Sequence, residues 1–262
     1  MTERPLILIS NDDGYSSLGI DVLTRVALEF GNVAVVAPMT PQSGKASAIT
    51  TDRPLIPRMI ENTVQLRRWV VDGTPADCAK LALDQLLRDT PPSLVLSGIN
   101  HGANTGISAM YSGTMGVAFE GLLHGVPSIA YSLNDYSADA KMETCVEVIR
   151  HITTQVLKHG LPRHICLNVN IPLTSDGKFA GYKATTGALG RWAEEFERRT
   201  RPVSGTDYYW MVGTYDQFDP ADDTTDLYWM AKNYVSVTPC HIDQTDHGTL
   251  GLVGEMIGEL ED

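Results

Sequence analysis

Apolar runs of strand length alternate with segments of helical period through the first two-thirds of this chain, and few architectures accommodate that pattern. Leu6–Ser10 and Asn32–Pro38 read as buried strands, the second through Val33, Val35 and Val36. Between them Val22, Leu23, Val26, Ala27 and Phe30 share one helical face, and Gly31 closes the helix. A loop rich in Ser, Thr, Gly and Pro runs from Pro38 to Thr51, and Val64–Val71 contains a strand-like stretch. Gly73–Asp77 is a helix start, with Thr74 as N-cap, Pro75 at the first helical position and Asp77 in an acidic first turn. Further strands are predicted at Leu94–Ser97, Pro127–Ser132 and Ile165–Asn170. A short helix from Thr114 to His124 and an amphipathic one through Cys145, Val148, Ile149, Ile152 and Val156 separate them. The predicted fold is α/β, a mainly parallel sheet with helices on both faces.

The pattern changes after Pro172. Gly, Tyr and Trp become frequent, strands shorten to Tyr208–Val212 and Tyr234–Val237, and Asp216–Asp226 reads as an acidic loop. We expect a core over 1–172 and a β-rich C-terminal extension over 173–262, with a hairpin and subunit contacts; Trp192, Trp210 and Trp229 belong to packing or to those contacts.

A chain of 262 residues can bury a substantial core. Its net charge of −12 argues against sequence-independent binding to duplex nucleic acid, which needs a basic face. A small phosphorylated substrate remains compatible, because one cation and a few backbone N–H groups reverse the potential of a pocket. No apolar run approaches the ~20 residues of a membrane span, so no membrane association is expected. Asp12 arrives too early for a secretory leader. The four cysteines, Cys78, Cys145, Cys166 and Cys240, form no CxxC pair and suit the core of a reduced, cytoplasmic protein.

Chemistry concentrates in loops that follow predicted strands. The first strand ends in Asn11-Asp12-Asp13-Gly14. Adjacent carboxylates at a strand's carboxyl end call for a cation or a proton between them, although these residues also suit an Asx-rich turn capping a helix. A second loop supplies Ser43, and a third, Ser97–Gly106, supplies Asn100 and Asn104. Two Asp carboxylates, a Ser hydroxyl and an Asn carbonyl suit a hard cation such as Mg²⁺, Mn²⁺ or Ca²⁺. The stretch from Gly98 to Gly113 is expected to lack regular structure, a length that usually signals function in a compact domain. Tyr111–Gly116 begins a predicted helix, where free N–H groups flanked by hydroxyls offer an anion site or an ordinary Ser/Thr N-cap. His101 reads as pocket-lining or surface, with proton donation open to it. Ser43–Ser47 resembles the end of a phosphate loop but has Met39 and Ala46 where a glycine and a metal-binding hydroxyl belong.

Taken as a set, these segments resemble the SurE survival-protein family of metal-dependent 5′-nucleotidases. The resemblance rests on Asn11–Gly14, Val36-Ala37-Pro38 leading to Ser43-Gly44, Gly73–Cys78, and Ser97–Asn100 with Gly102, Asn104 and Gly106. Tyr111–Thr114, Leu167–Pro172 and Val235–Pro239 complete it, in order along nearly the whole chain. It implies a Rossmann-like core and a C-terminal extension exchanged between subunits of a homodimer or homotetramer. It places metal ligands on Asp12, Asp13, Ser43 and Asn100, holding one divalent ion per subunit, Mg²⁺ or Mn²⁺. It places phosphate contacts on Asn104, Ser112, Gly113 and Thr114. The implied substrate is a nucleoside monophosphate, hydrolysed by water that Asp13 or Asp12 orients, or through an aspartyl-phosphate. Two alternatives use the same pocket: an exopolyphosphatase, and a nucleotide- or metal-binding regulatory module without turnover.

Overall fold

The computed structural model describes residues 4–175 and 177–258. Strand β1 spans Leu6–Ser10, β2 Asn32–Pro38, β3 Pro57–Asn62, β4 Leu66–Val71, β5 Leu94–His101, β6 Ser128–Leu133 and β7 Ile165–Ile171. The C-terminal part adds β8 (Gly181–Ala184), β9 (Gly190–Ala193), β10 (Phe196–Thr200), β11 (Asp207–Met211), β12 (Thr214–Gln217) and β13 (Tyr234–His241). One nine-stranded sheet has the order β3-β4-β2-β1-β5-β6-β7-β13-β8. Strands β4, β2, β1, β5, β6 and β7 run parallel. Their spatial order follows the doubly wound dinucleotide-binding topology, with the order reversing between β1 and β5.

Side-chain alternation along β1 explains the two layers of helix. Ile7 and Ile9 face one side and Leu8 the other, as the period of two requires. On the first side lie α1 (Leu18–Phe30) and, after the next two helices, α4 (Val146–His159), which bring Leu23, Val26, Ile149 and Ile152 to the core. On the other side α2 (Pro75–Leu81) and α3 (Gly113–Leu123) bring Cys78, Ala79 and Val117. Gly31 and Gly160 cap α1 and α4, and Thr74 and Asp77 form a reciprocal capping box on α2.

Several expectations need correction. The stretch Gly98–Gly113 is not irregular: β5 continues to His101, and Gly106–Tyr111 forms a 3₁₀ turn. A bulge lets three steps of β5 match two of β6, since Ser97 opposes Ala130 while Asn100 opposes Ser132. Gly98 makes this possible: its φ is +116°, and a Cβ there would sit 2.3 Å from the Tyr131 carbonyl oxygen. The Val64–Val71 stretch does contain a strand, β4, but the antiparallel strand β3 before it has no sequence signature, because Arg58, Met59 and Ile60 break any burial alternation. The Asp216–Asp226 segment is not simply an acidic loop. Asp216 pairs in the β12–β9 ladder, and Asp226 is fully buried at the start of α5 (Asp226–Met230).

Residues beyond Pro172 also contribute to the main sheet, through β13 against β7 and β8 against β13. Two small ladders, β10–β11 and β9–β12, lie outside it, and the chain continues to α6 (Leu250–Ile257). Among the described residues no helix is long and apolar enough to cross a membrane.

Candidate functional site

At the point where the sheet order reverses, β1 and β5 end side by side, with Ser10 opposite Ser97. Chain leaving β1 turns at once through Asn11, whose Nδ2 donates to the Gly14 carbonyl and to Ser17 Oγ. That turn presents Asp12 and Asp13 in succession. Asp12 is buried, and its Oδ1 accepts the Thr114 hydroxyl at 2.5 Å. Asp13 Oδ2 accepts the backbone N–H of His101 at 3.1 Å, which ties it to the end of β5. Beside it, Asn100 donates Nδ2 to the Gly102 carbonyl at 2.7 Å, leaving the amide oxygen as its free end.

The N-terminus of α3 abuts this pair. A Cβ on Gly113 would lie 2.7 Å from the Asp12 Cβ and 3.2 Å from its Oδ2, so only glycine lets the helix end approach the carboxylate. Ser112 caps the helix by accepting the Met115 N–H, which is the N-cap use foreseen as the alternative for this residue. The Ser43 loop is pinned from both sides. Gln42 N–H donates to the Asp12 carbonyl at 2.7 Å, and Ala46 N–H to the Tyr111 carbonyl at 3.1 Å. Ser43 itself is exposed.

Asp12, Asp13, Asn100, Gly113 and Thr114 thus meet directly or through one intervening residue, with Ser43 tethered at the rim. Asn104 has a different setting. Its N–H donates to Asn170 Oδ1 at 2.7 Å, its carbonyl accepts Asn168 Nδ2 at 2.8 Å, and its own Nδ2 donates to Ser132 Oγ at 2.9 Å. Asn170 Nδ2 donates in turn to Asn168 Oδ1 at 3.0 Å, which fixes the orientation of both amides. This network bonds to neither Asp12 nor Asp13 but holds the loop that follows Asn100. Sequence reasoning gave Asn168 and Asn170 no role of their own. Their i, i+2 spacing on a strand, which points both side chains to one face, was the available signal.

Electrostatically the site is short of positive charge. Burial pushes the Asp12 carboxyl up to about 6; the Thr114 hydrogen bond opposes that rise and the neighbouring Asp13 adds to it. Burial also raises Asp13, against the His101 N–H. Among the described residues no Lys or Arg forms an ion pair with either carboxylate. Nor, among the described residues, do three or more His, Cys, Asp or Glu gather in a metal-binding cluster. Ser10 Oγ, Ser97 Oγ and Asn11 Oδ1 are buried here without a hydrogen-bond partner. Two desolvated carboxylates, a free amide oxygen and a hydroxyl at the rim form a hard, all-oxygen donor set, which fits a cation such as Mg²⁺ or Mn²⁺.

The family model described as "Survival protein SurE" matches residues 7–194. The chain belongs to the SurE family. A protein named 5′-nucleotidase SurE from Cytophaga hutchinsonii is 43% identical over 95% of each chain. One of the same name from Bacteroides thetaiotaomicron is 38% identical over 99% of each. The crystal structure of the SurE protein from Aquifex aeolicus superposes with a TM-score of 0.82 at 35% identity, covering 97% of this chain and 100% of that one. Membership in the SurE family accounts for the doubly wound topology, and the family match runs through every loop that meets at the β1–β5 edge.

Proposed function

We propose that this chain is a 5′-nucleotidase, a divalent-metal-dependent phosphomonoesterase that hydrolyses nucleoside 5′-monophosphates to nucleoside and phosphate. The observation that carries the reading is buried Asp12 beside half-buried Asp13 at the sheet's switch point, met by the glycine-opened N-terminus of α3. The names of relatives about 40% identical over nearly the full length support the same activity.

Asp12, Asp13, Ser43 and Asn100 are the residues that would hold the cation. Its chemistry when bound is to neutralise phosphoryl charge and to lower the pKa of a water molecule. The chain's own groups do the rest. The helix end at Gly113 and Thr114 offers N–H groups and a positive dipole to phosphoryl oxygens, and Ser112 holds that end in shape. Asn104, clamped at its backbone and side chain, keeps one amide hydrogen in hand for the substrate. Asp13, with Oδ2 occupied by the His101 N–H, has Oδ1 free to take a proton from the attacking water. Asp12 is oriented by Thr114 and acts as its partner.

Phosphate release from nucleoside 5′- and 3′-monophosphates and short polyphosphates, with Mg²⁺, Mn²⁺ or a chelator, tests the proposal. Release from 5′-monophosphates that requires metal, and that falls on the order of 100-fold or more in Asp13→Asn, is the expected result. Faster removal of terminal units from polyphosphate would reassign the enzyme as an exopolyphosphatase. Nucleotide binding without release would make the pocket a regulatory module.

The same reading includes self-association and a cytoplasmic setting. Phe196, Trp210 and Met211 on the β10–β11 hairpin and Leu252, Met256 and Ile257 on α6 are exposed apolar side chains that a second copy would cover. Sedimentation should therefore give a homodimer or homotetramer. All four cysteines are free, as a reducing compartment favours.

A further inference from the structure

A cavity of about 410 Å³ opens beside the Asn104 loop, between that loop and the β9–β12 ladder. Ala103 and Thr105, which flank Asn104, form one wall. Trp192 of β9 and Tyr215 of β12 also line it, their rings 5.8 Å apart and edge to face. Tyr136 lines it too. Its ring lies against Gly102, where a Cβ would come within 2.4 Å of it. Gly102 is only two residues, roughly 7 Å of extended chain, beyond the candidate ligand Asn100. The cavity thus adjoins Asn104, a candidate phosphate contact, through both of its chain neighbours.

We propose that this cavity receives the nucleobase of the substrate, an inference that rests on the 5′-nucleotidase reading. The character of the walls singles out a flat, uncharged heterocycle. Among the described residues no Asp, Glu, Lys or Arg lines the cavity, whereas four other cavities each carry charged side chains in their walls. Aromatic faces suit stacking, which tolerates every base because each has a π-face. The polar groups present are neutral amides and hydroxyls, among them Asn134, Gln217 and Ser108, the kinds of group that pair with base edges. Gln217 donates Nε2 to the Asp219 carbonyl, which leaves its own carbonyl oxygen for a ligand.

The aromatic wall is also held rigidly against the catalytic loop. Buried Asp226 accepts the N–H of Gly106 at 2.7 Å through one oxygen and that of Ala188 at 3.0 Å through the other. Tyr215 donates its hydroxyl to the Ala188 carbonyl at 2.7 Å. Gly106 follows Thr105 directly, so one carboxylate fastens the segment leading to Trp192 onto the loop that carries Asn104. Asp226 is thus a positioning residue for the pocket.

Two measurements on the full-length protein test this. Binding of adenosine and cytidine, which lack phosphate, is followed by saturation-transfer NMR on the wild type, Trp192→Ala and Tyr136→Ala. Trp192→Phe serves as the conservative rescue. In parallel, KM is compared for AMP and for ribose 5-phosphate, which lacks a base. We expect nucleoside affinity to fall at least ten-fold in both alanine variants and to recover in Trp192→Phe. The preference for AMP over ribose 5-phosphate should fall by a similar factor. Tyr136 is 71% exposed, so its variant is not threatened by misfolding. The inference is overturned if wild type does not bind the nucleosides at millimolar concentration, or if both alanine variants keep affinity and preference within two-fold. Equal losses on AMP and ribose 5-phosphate would overturn it as well. Should wild type release no phosphate from any ester, the nucleotidase reading fails, and nucleoside binding alone then decides for or against the pocket.

Discussion

The parallel core and the β10–β11 hairpin, two regions of one chain, bury their side chains to opposite extents. Every residue of β6 and all but the last of β5 are buried, whereas all five residues of β10 are exposed. The core strands are sandwiched between helices, so apolar burial and the hydrogen-bonded ladder act together. The hairpin has its ladder and two ion pairs, Arg198 with Asp207 and Arg199 with Glu197, all at the surface. Exposed pairs contribute about 0–1 kcal/mol each, and an isolated two-stranded ribbon is marginal in water. The core buries its apolar side chains within one chain, while the hairpin leaves Trp210 and Met211 exposed.

The sharpest way to break this comparison is a pair of truncations. Leu96→Ala in β5, fully buried, should cost about 2–5 kcal/mol in urea unfolding. Trp210→Ala in the hairpin should cost less than about 0.5 kcal/mol in dilute protein yet weaken self-association in sedimentation. Equal costs would show that the hairpin is as integral as the core.

The next effect belongs to the polar edge of the core. Asp12 is raised by burial to about 6, above its ordinary 3.8, so its favourable contribution is complete below pH 3.8 and lost as pH rises through 6. At 1.36 kcal/mol per unit, metal-free protein should lose about 3 kcal/mol of stability over that window. Asp13 and Asp226, both raised by burial, act in the same direction. Melting in chelator should therefore fall as pH rises from 3.8 to about 6 and level off above that, Asp12→Asn should flatten the fall, and added Mg²⁺ or Mn²⁺ should reverse it. A pH-independent melt would refute this account of the carboxylate.

Smaller again is Asn170→Ala. It leaves the Asn104 N–H and the Asn168 Oδ1 without partners, at about 1–3 kcal/mol, and should raise KM for phosphate esters by loosening Asn104. A stability loss with unchanged KM would separate the network from the site. Last comes Arg198→Ala in the hairpin, expected within about 0–1 kcal/mol by thermal melting and without effect on turnover.

Much of the core was legible because its strands are buried on both faces. The limits of β1 and β2 coincide with the apolar runs read from sequence, and Gly31, Thr74 and Gly160 cap helices as their chemistry suggests. The gathering of Asp12, Asp13 and Asn100 followed from the rule that loops at the carboxyl ends of parallel strands converge. The β5 bulge was not legible, because Gly98 looks like a loop residue until Tyr131 of the adjacent strand is in place. Strand β3 was missed because an exposed edge strand carries no alternation.

Local patterning determined the α/β alternation, the helix ends and the residue types at the β1–β5 edge, since each depends on neighbours within a turn or a strand. Long-range pairing decided the rest. Asn168 and Asn170 became the clamp of Asn104 only when β7 settled two strands from β5, across β6. Asp226, 120 residues after Gly106, became a buried fastener only when α5 packed behind the Asn104 loop. A carboxylate or an amide has the same composition in a solvated loop and in a buried network. What distinguishes the two is which distant N–H groups reach it, and only the folded chain brings those together.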